Sequence, residues 1–152
     1  MIDIHIEKEF QDKIQQTLLL ETANKTLTHL SLAPNTDLSI QITTDQEIRT
    51  LNRKFRQVDH ETDVLAFPAG HINPEDGTPY LGDIIISYPR AQIQAEQRRH
   101  ATIQEIQLLI IHGLLHLLGF DHVDLEDKRV MWKMKHQILT QLGIDTRILK
   151  EL

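Results

Sequence analysis

Ile2, Ile4 and Ile6 alternate with polar residues at the start of the chain, which predicts a strand with one buried face. Ile14, Leu18, Ala23, Leu27 and Leu30 then recur at helical spacing, predicting one long helix from about Phe10 to Leu30 with Pro34 as its stop. Leu38, Ile40 and Ile42 alternate as a second strand, after which Thr44 or Asp45 is placed to cap a helix through Ile48, Leu51 and Phe55. Val64 to Phe67 reads as a short apolar strand ended by Pro68, and Ile84 to Ile86 as another, both buried. Between them Gly70, Pro74, Asp76, Gly77 and Pro79 mark a loop too long for a tight hairpin, and loops of that kind often border sites.

After Pro89 a polar helix through Ile93 and Arg98 leads into Ile106 to Phe120, where apolar residues surround the helix on every side. A helix that is apolar all round belongs in the centre of a domain. Asp124 is then placed to cap a last helix whose core face carries Met131, Met134, Ile138 and Leu142, with Glu126 and Asp127 at its positive end and Gly143 closing it. The order predicts an α+β fold: a four-stranded mixed sheet covered by helices, with the apolar helix buried among them.

The 152 residues, 40% hydrophobic and 25% charged, fit a single soluble domain over 1–152. No apolar run is long enough to span a membrane, and the N-terminus lacks the basic region and apolar core of a signal peptide, so a cytoplasmic protein with no membrane partner is expected. The absence of cysteine excludes disulfides and thiolate metal sites. A net charge of -6 argues against general coating of nucleic acid and leaves only a local basic groove, for which Arg49, Arg53, Lys54, Arg56, Arg90, Arg98 and Arg99 are the candidates. Scattered surface cations are the commoner explanation of such residues.

The buried helix carries the candidate chemistry. His112 and His116 lie four residues apart, on one helix face, where both imidazoles reach a single ion. Gly119 allows a left-handed turn that would bring His122 back as a third ligand. Three histidines leave a fourth position of zinc open, the catalytic rather than the structural arrangement, so one zinc ion per chain is expected, with nickel or another transition metal also accepted by imidazole. Zinc peptidases carry a glutamate as general base directly after the first histidine. Here that position is Gly113, and Asp121, the one carboxylate in the run, is better placed to orient a ligand histidine. Arg56, at the end of its helix, reads by itself as a capping or surface arginine; a strand from Asp63 running beside the metal helix would instead let it address a phosphate held by the metal.

Together these segments resemble the YbeY-type family of bacterial endoribonucleases involved in ribosomal RNA maturation. His112 through His122 match the family's His-Gly-x-Leu-His-Leu-x-Gly-aromatic-Asp-His signature without departure. Asn52, Phe55 and Arg56 followed by Thr62 to Phe67 resemble its helix-to-strand segment, and Gly82 to Ser87 its glycine-aspartate strand, with Ala66 standing where serine is common. The resemblance implies zinc on His112, His116 and His122 and a catalytic role for these residues and Arg56. It also implies a single-stranded RNA substrate, ribosomal RNA, with processing of the small-subunit RNA 3′ end and quality control of ribosomes, and ribosomal or assembly-factor partners. The residues leave the nucleophile open between water activated at the metal and the RNA's own 2′-hydroxyl. Two other classes remain: a zinc peptidase-like hydrolase, disfavoured by Gly113, and a non-catalytic, metal-stabilised module of ribosome assembly, disfavoured by the open fourth position.

Overall fold

The computed structural model describes residues 1–32, 35–72, 74–75, 77–121 and 123–149, with His71 described by its backbone alone. Four strands, β1 (Ile2–Ile6), β2 (Asp37–Thr43), β3 (Val64–Ile72) and β4 (Pro79–Ser87), form one sheet in the order β1-β2-β4-β3. The first two pairings are parallel and the β3–β4 pairing is antiparallel, so the sheet is mixed and the fold is α+β, as expected. Helices α1 (Gln16–His29), α3 (Tyr88–Arg98) and α4 (Thr102–Leu117) cover one face, α2 (Asp45–Arg56) lies on the other, and α5 (Leu125–Gln141) packs on the outer side of α4.

Alternation along the strands creates two separate cores. Leu38, Ile40, Ile42, Ile84 and Ile86 pack against α1, α3 and α4, whereas Leu65 and Ile85 meet Ile48 of α2 in a smaller cluster. Helix α4 is buried almost throughout, because Ile106, Ile110 and Leu114 face the sheet side while Ile111 and Leu115 face Met131, Ile138 and Leu139 of α5. The expected caps are present: Thr44 accepts from the Glu47 amide at 3.1 Å, and Asp124 from the Asp127 amide at 2.8 Å.

Two expectations need correction. The helix expected from Phe10 to Leu30 is two pieces, a 3-10 helix at Lys8–Lys13 and then α1, separated by extended backbone at Ile14 and Gln15. That step resets the helical phase: Phe10 stacks on Tyr88 at 4.6 Å, Ile14 is buried, and α1 turns inward the face of Leu19, Thr22, Ala23 and Thr26 instead of Leu18. The buried hydroxyls of Thr22 and Thr26 donate to carbonyls one turn back, which makes this polar-looking face compatible with the core. Pro34, its expected stop, lies outside the described residues.

The second correction concerns Pro68, which does not end its strand. Because β3 is an edge strand, a missing amide there breaks no ladder bond, and β3 continues to Ile72 across a register shift between Pro68 and His71. Gly82 makes the shift feasible: its φ is +144°, and a Cβ there would run into the Phe67 carbonyl oxygen. Gly70 and Pro79 therefore belong to strands, and the connection shrinks to 73–78, within which Asp76 lies outside the described residues.

Candidate active site

The C-terminal half of α4 runs beside β3, and a cleft of about 410 Å3 opens between them. Strand alternation presents Val64, Ala66 and Pro68 to this cleft and sends Leu65 and Phe67 to the opposite face. His112, Gly113 and His116 form the helix wall, and Arg56 and Asp63 also line the space. Two of the three expected metal ligands and the expected arginine, which come from well-separated parts of the sequence, thus share one cavity. His122 lies outside the described residues, and Asp121 beside it is exposed.

One helical turn separates His112 from His116, and their Nε2 atoms stand 2.9 Å apart. Behind them, Lys135 of α5 brings its Nζ to 2.7 Å from His112 Nδ1. Burial, helped by the Arg98 charge, pushes the Lys135 amine down to about 8. Nζ therefore meets one ring nitrogen of His112 while the other faces His116, so both nitrogens of His112 have a neighbour. The helix ends one residue after the second histidine, at Leu117. Gly119, at φ +90°, donates to the His116 carbonyl and Phe120 to the Leu115 carbonyl, both at 3.0 Å, and the chain reverses there as expected.

Arg56 is the last residue of α2, where Gln57 turns left-handed at φ 57°. Its Nη2 donates to the Ala66 carbonyl at 3.0 Å, and its guanidinium carbon lies 5.5 Å from the Phe67 ring centre. A hydrogen bond and an aromatic face together hold the planar cation at the rim of the cleft. The other cations weighed for a basic groove do not gather here: Arg49 pairs with Asp59, Arg90 with Glu61, and Arg98 with Glu105. Among the described residues Arg56 is the one of that set that lines the cleft.

Gly113 is explained by packing. A Cβ at this position would sit 3.0 Å from Ile84 Cγ2, because α4 lies directly on β4 there. The peptidase glutamate is thus absent at a place where the sheet leaves little room for any side chain. Sequence reasoning missed Lys135 and Asp63. Lys135 falls four residues after Met131 and three before Ile138, on the very stripe that marks the core face of α5, and that position was the available signal. Asp63 accepts from the Val64 amide at 2.8 Å and from Gln94 at 3.3 Å, so its carboxylate anchors the start of β3 as well as lining the cleft.

The family model for endoribonuclease YbeY matches residues 1–143. The chain belongs to the YbeY endoribonuclease family. Among its relatives, the endoribonuclease YbeY of Halalkalibacterium halodurans is 40% identical over 139 residues, covering 86% of this chain and 87% of its own length. That of Dehalococcoides mccartyi strain 195 is 39% identical over 142 residues, covering 86% and 83%, and that of Shouchella clausii is 34% identical over 155 aligned positions, covering 95% and 97%. The solution structure of a Thermotoga maritima protein shares the fold, with a TM-score of 0.60 at 23% identity over 94% of this chain and 92% of that one. No helix among the described residues is long and apolar enough to cross a membrane.

Proposed function

We propose that this chain is a zinc-dependent endoribonuclease that cuts single-stranded RNA in the maturation of ribosomal RNA in the cytoplasm. The observation that carries the reading is the joint placement of His112, His116 and Arg56 around one cleft in a member of the YbeY family. Two nitrogens bound to one tetrahedral zinc ion at about 2.0 to 2.1 Å stand roughly 3.3 Å apart, so the 2.9 Å pair needs only a small opening to share an ion. His112, His116 and, from outside the described residues, His122 would hold the metal. Zinc there would supply a Lewis acid for a phosphoryl oxygen and make bound water more acidic.

The chain's own contribution is orientation and charge. Arg56, already tethered to Ala66 and Phe67, presents its remaining N–H donors to a phosphate in the cleft without having to be ordered first. Gly113 lets α4 lie directly on Ile84 of β4, which sets the histidine pair against the cleft beside β3. The three-histidine arrangement suits RNA better than peptide, because peptide cleavage needs a base to pass a proton to the leaving amine and position 113 offers none. The test incubates zinc-loaded protein with single-stranded RNA, the matching DNA and an unstructured polypeptide, with His116→Ala as the control for contaminating nuclease. Zinc-dependent RNA cleavage that disappears in the variant is expected. Peptide cleavage with intact RNA would replace this reading with a hydrolase of the peptidase type.

A further inference from the structure

Across the β3 edge from the cleft lies a second groove, of about 390 Å3, which the reading above does not use. Its walls are Phe55, Leu51 and Glu47 of α2, and its floor is Phe67 and Ile85 with Ser39, Gln41 and Asp83. Phe55 is 56% exposed although it is a large aromatic, and its ring lies 5.5 Å from that of Phe67 at an angle of 58°. The Lys54 amine stands 5.2 Å from the Phe55 ring, and the Arg56 guanidinium covers Phe67 while also lining the metal cleft. Arg56 therefore bridges the two depressions.

We infer that this groove receives an unpaired nucleobase of the RNA strand, stacked on the exposed ring of Phe55 with its edge toward Phe67, next to the phosphate that Arg56 meets in the cleft. The inference rests on the RNA reading of that cleft and names the group that would position the strand. Ala66 and Phe67 are consecutive residues facing opposite sides of an edge strand, so a chain that wraps this edge passes from one depression to the other. The charges run in the matching order. Arg56 lies at the rim shared with the cleft and Lys54 by the Phe55 ring, whereas Glu47 and Asp83 lie around the groove. A nucleotide has the same polarity, with an anionic phosphate at one end and N–H donors on the base edge at the other. An acidic peptide would meet Glu47 and Asp83 with the wrong sign, and a basic one would meet Lys54 and Arg56. Acceptors on the groove favour bases bearing an exocyclic amine, namely adenine, cytosine and guanine, over uracil.

Two measurements test this. In the first, short single-stranded RNAs with 2-aminopurine at successive positions are bound to metal-stripped protein and the fluorescence is read. Stacking predicts quenching at one position, abolished in Phe55→Ala and retained in Phe55→Tyr. In the second, cleavage kinetics of zinc-loaded protein are compared for the same variants: Phe55→Ala should raise KM about tenfold with kcat near the parental value, the pattern of lost uniform binding, and an abasic residue at the quenched position should mimic it with the parental protein. Cleavage by the parent with KM unchanged in Phe55→Ala, or quenching at no position, would overturn the inference and leave the nuclease reading intact, with the groove then assigned to a protein segment. Phe55-dependent quenching by a parent that cleaves nothing would overturn the nuclease reading and leave the base site standing. Absence of any RNA binding would overturn both.

Discussion

The two ends of α4 each gather polar side chains, and they do so in opposite ways. Near its N-terminus Glu105 is 0% exposed and accepts from His100 Nε2 at 2.8 Å and from Arg98 Nη1 at 3.4 Å to each oxygen. An acid meets basic partners there and the protein supplies both signs, so the cluster is closed in charge, while Arg98 and His100 also border a depression of about 410 Å3. Ten to eleven Å further along the helix axis, at the 1.5 Å rise per residue, His112 begins a cluster of two imidazoles and an ammonium that opens on a cleft. The helix is the same, but Glu105 is buried while His112 and His116 are half-buried, and the balance of charge differs. A cluster closed in charge balances its acid within the fold and serves the fold, whereas the open one sets nitrogen groups against one another beside a cleft. Arg98 connects the two, since its charge also presses on Lys135.

The sharpest way to break the closed end is Glu105→Ala, which leaves His100 and Arg98 without their acid. A loss of about 3 to 5 kcal/mol in urea unfolding is expected, with RNA cleavage per folded molecule unchanged. At the open end Arg56→Ala should do the reverse: kcat/KM falls by roughly 100- to 1,000-fold, while stability falls by about 1 kcal/mol for the lost hydrogen bond and ring contact. Equal effects of the two substitutions on stability would show that the two ends are not different in kind. Lys135→Met replaces a buried amine by an apolar chain of similar length and should raise stability by about 1 kcal/mol after loss of its bond to His112. The same variant should bind zinc more tightly, measured by competition with a chelator, because a like charge has gone from beside a ligand. The smallest effect is expected for Gly113→Ala. Pressing a methyl on Ile84 costs about 1 to 3 kcal/mol and the gain in helix propensity returns about 1, a net loss near 1 kcal/mol that Ile84→Ala, which removes all three contacting carbons, should relieve in a double-mutant cycle.

What was legible in the sequence follows the same division. Local and periodic features read correctly: the alternation of Ile40 and Ile42, the Thr44 and Asp124 caps, the all-apolar girth of α4 and the turn at Gly119 each depend on residues a few positions apart. The histidine pair was legible for that reason as well. Arg56 could be placed beside it only through family resemblance, because its approach depends on β3 lying next to α4, a contact between segments about fifty residues apart. Lys135, and the Glu105 cluster with its buried His100, were invisible for a further reason: a charged residue on a helix is normally solvated, and only packing of three helices shows that these are not. Pro68 misled because a proline reads as a strand end until the strand is known to lie at an edge.

That edge has a consequence for how copies of this molecule behave toward one another. An exposed edge strand is a template on which another strand can grow, and β3 is nine residues long. Here Arg56 occupies the outward carbonyl of Ala66, and Pro68 two residues on has no amide to offer, so an incoming strand would find its pairing interrupted in the middle of the edge. The cation that faces the cleft therefore also guards against edge-to-edge aggregation, and its loss would be felt in concentrated solution as a tendency to self-associate.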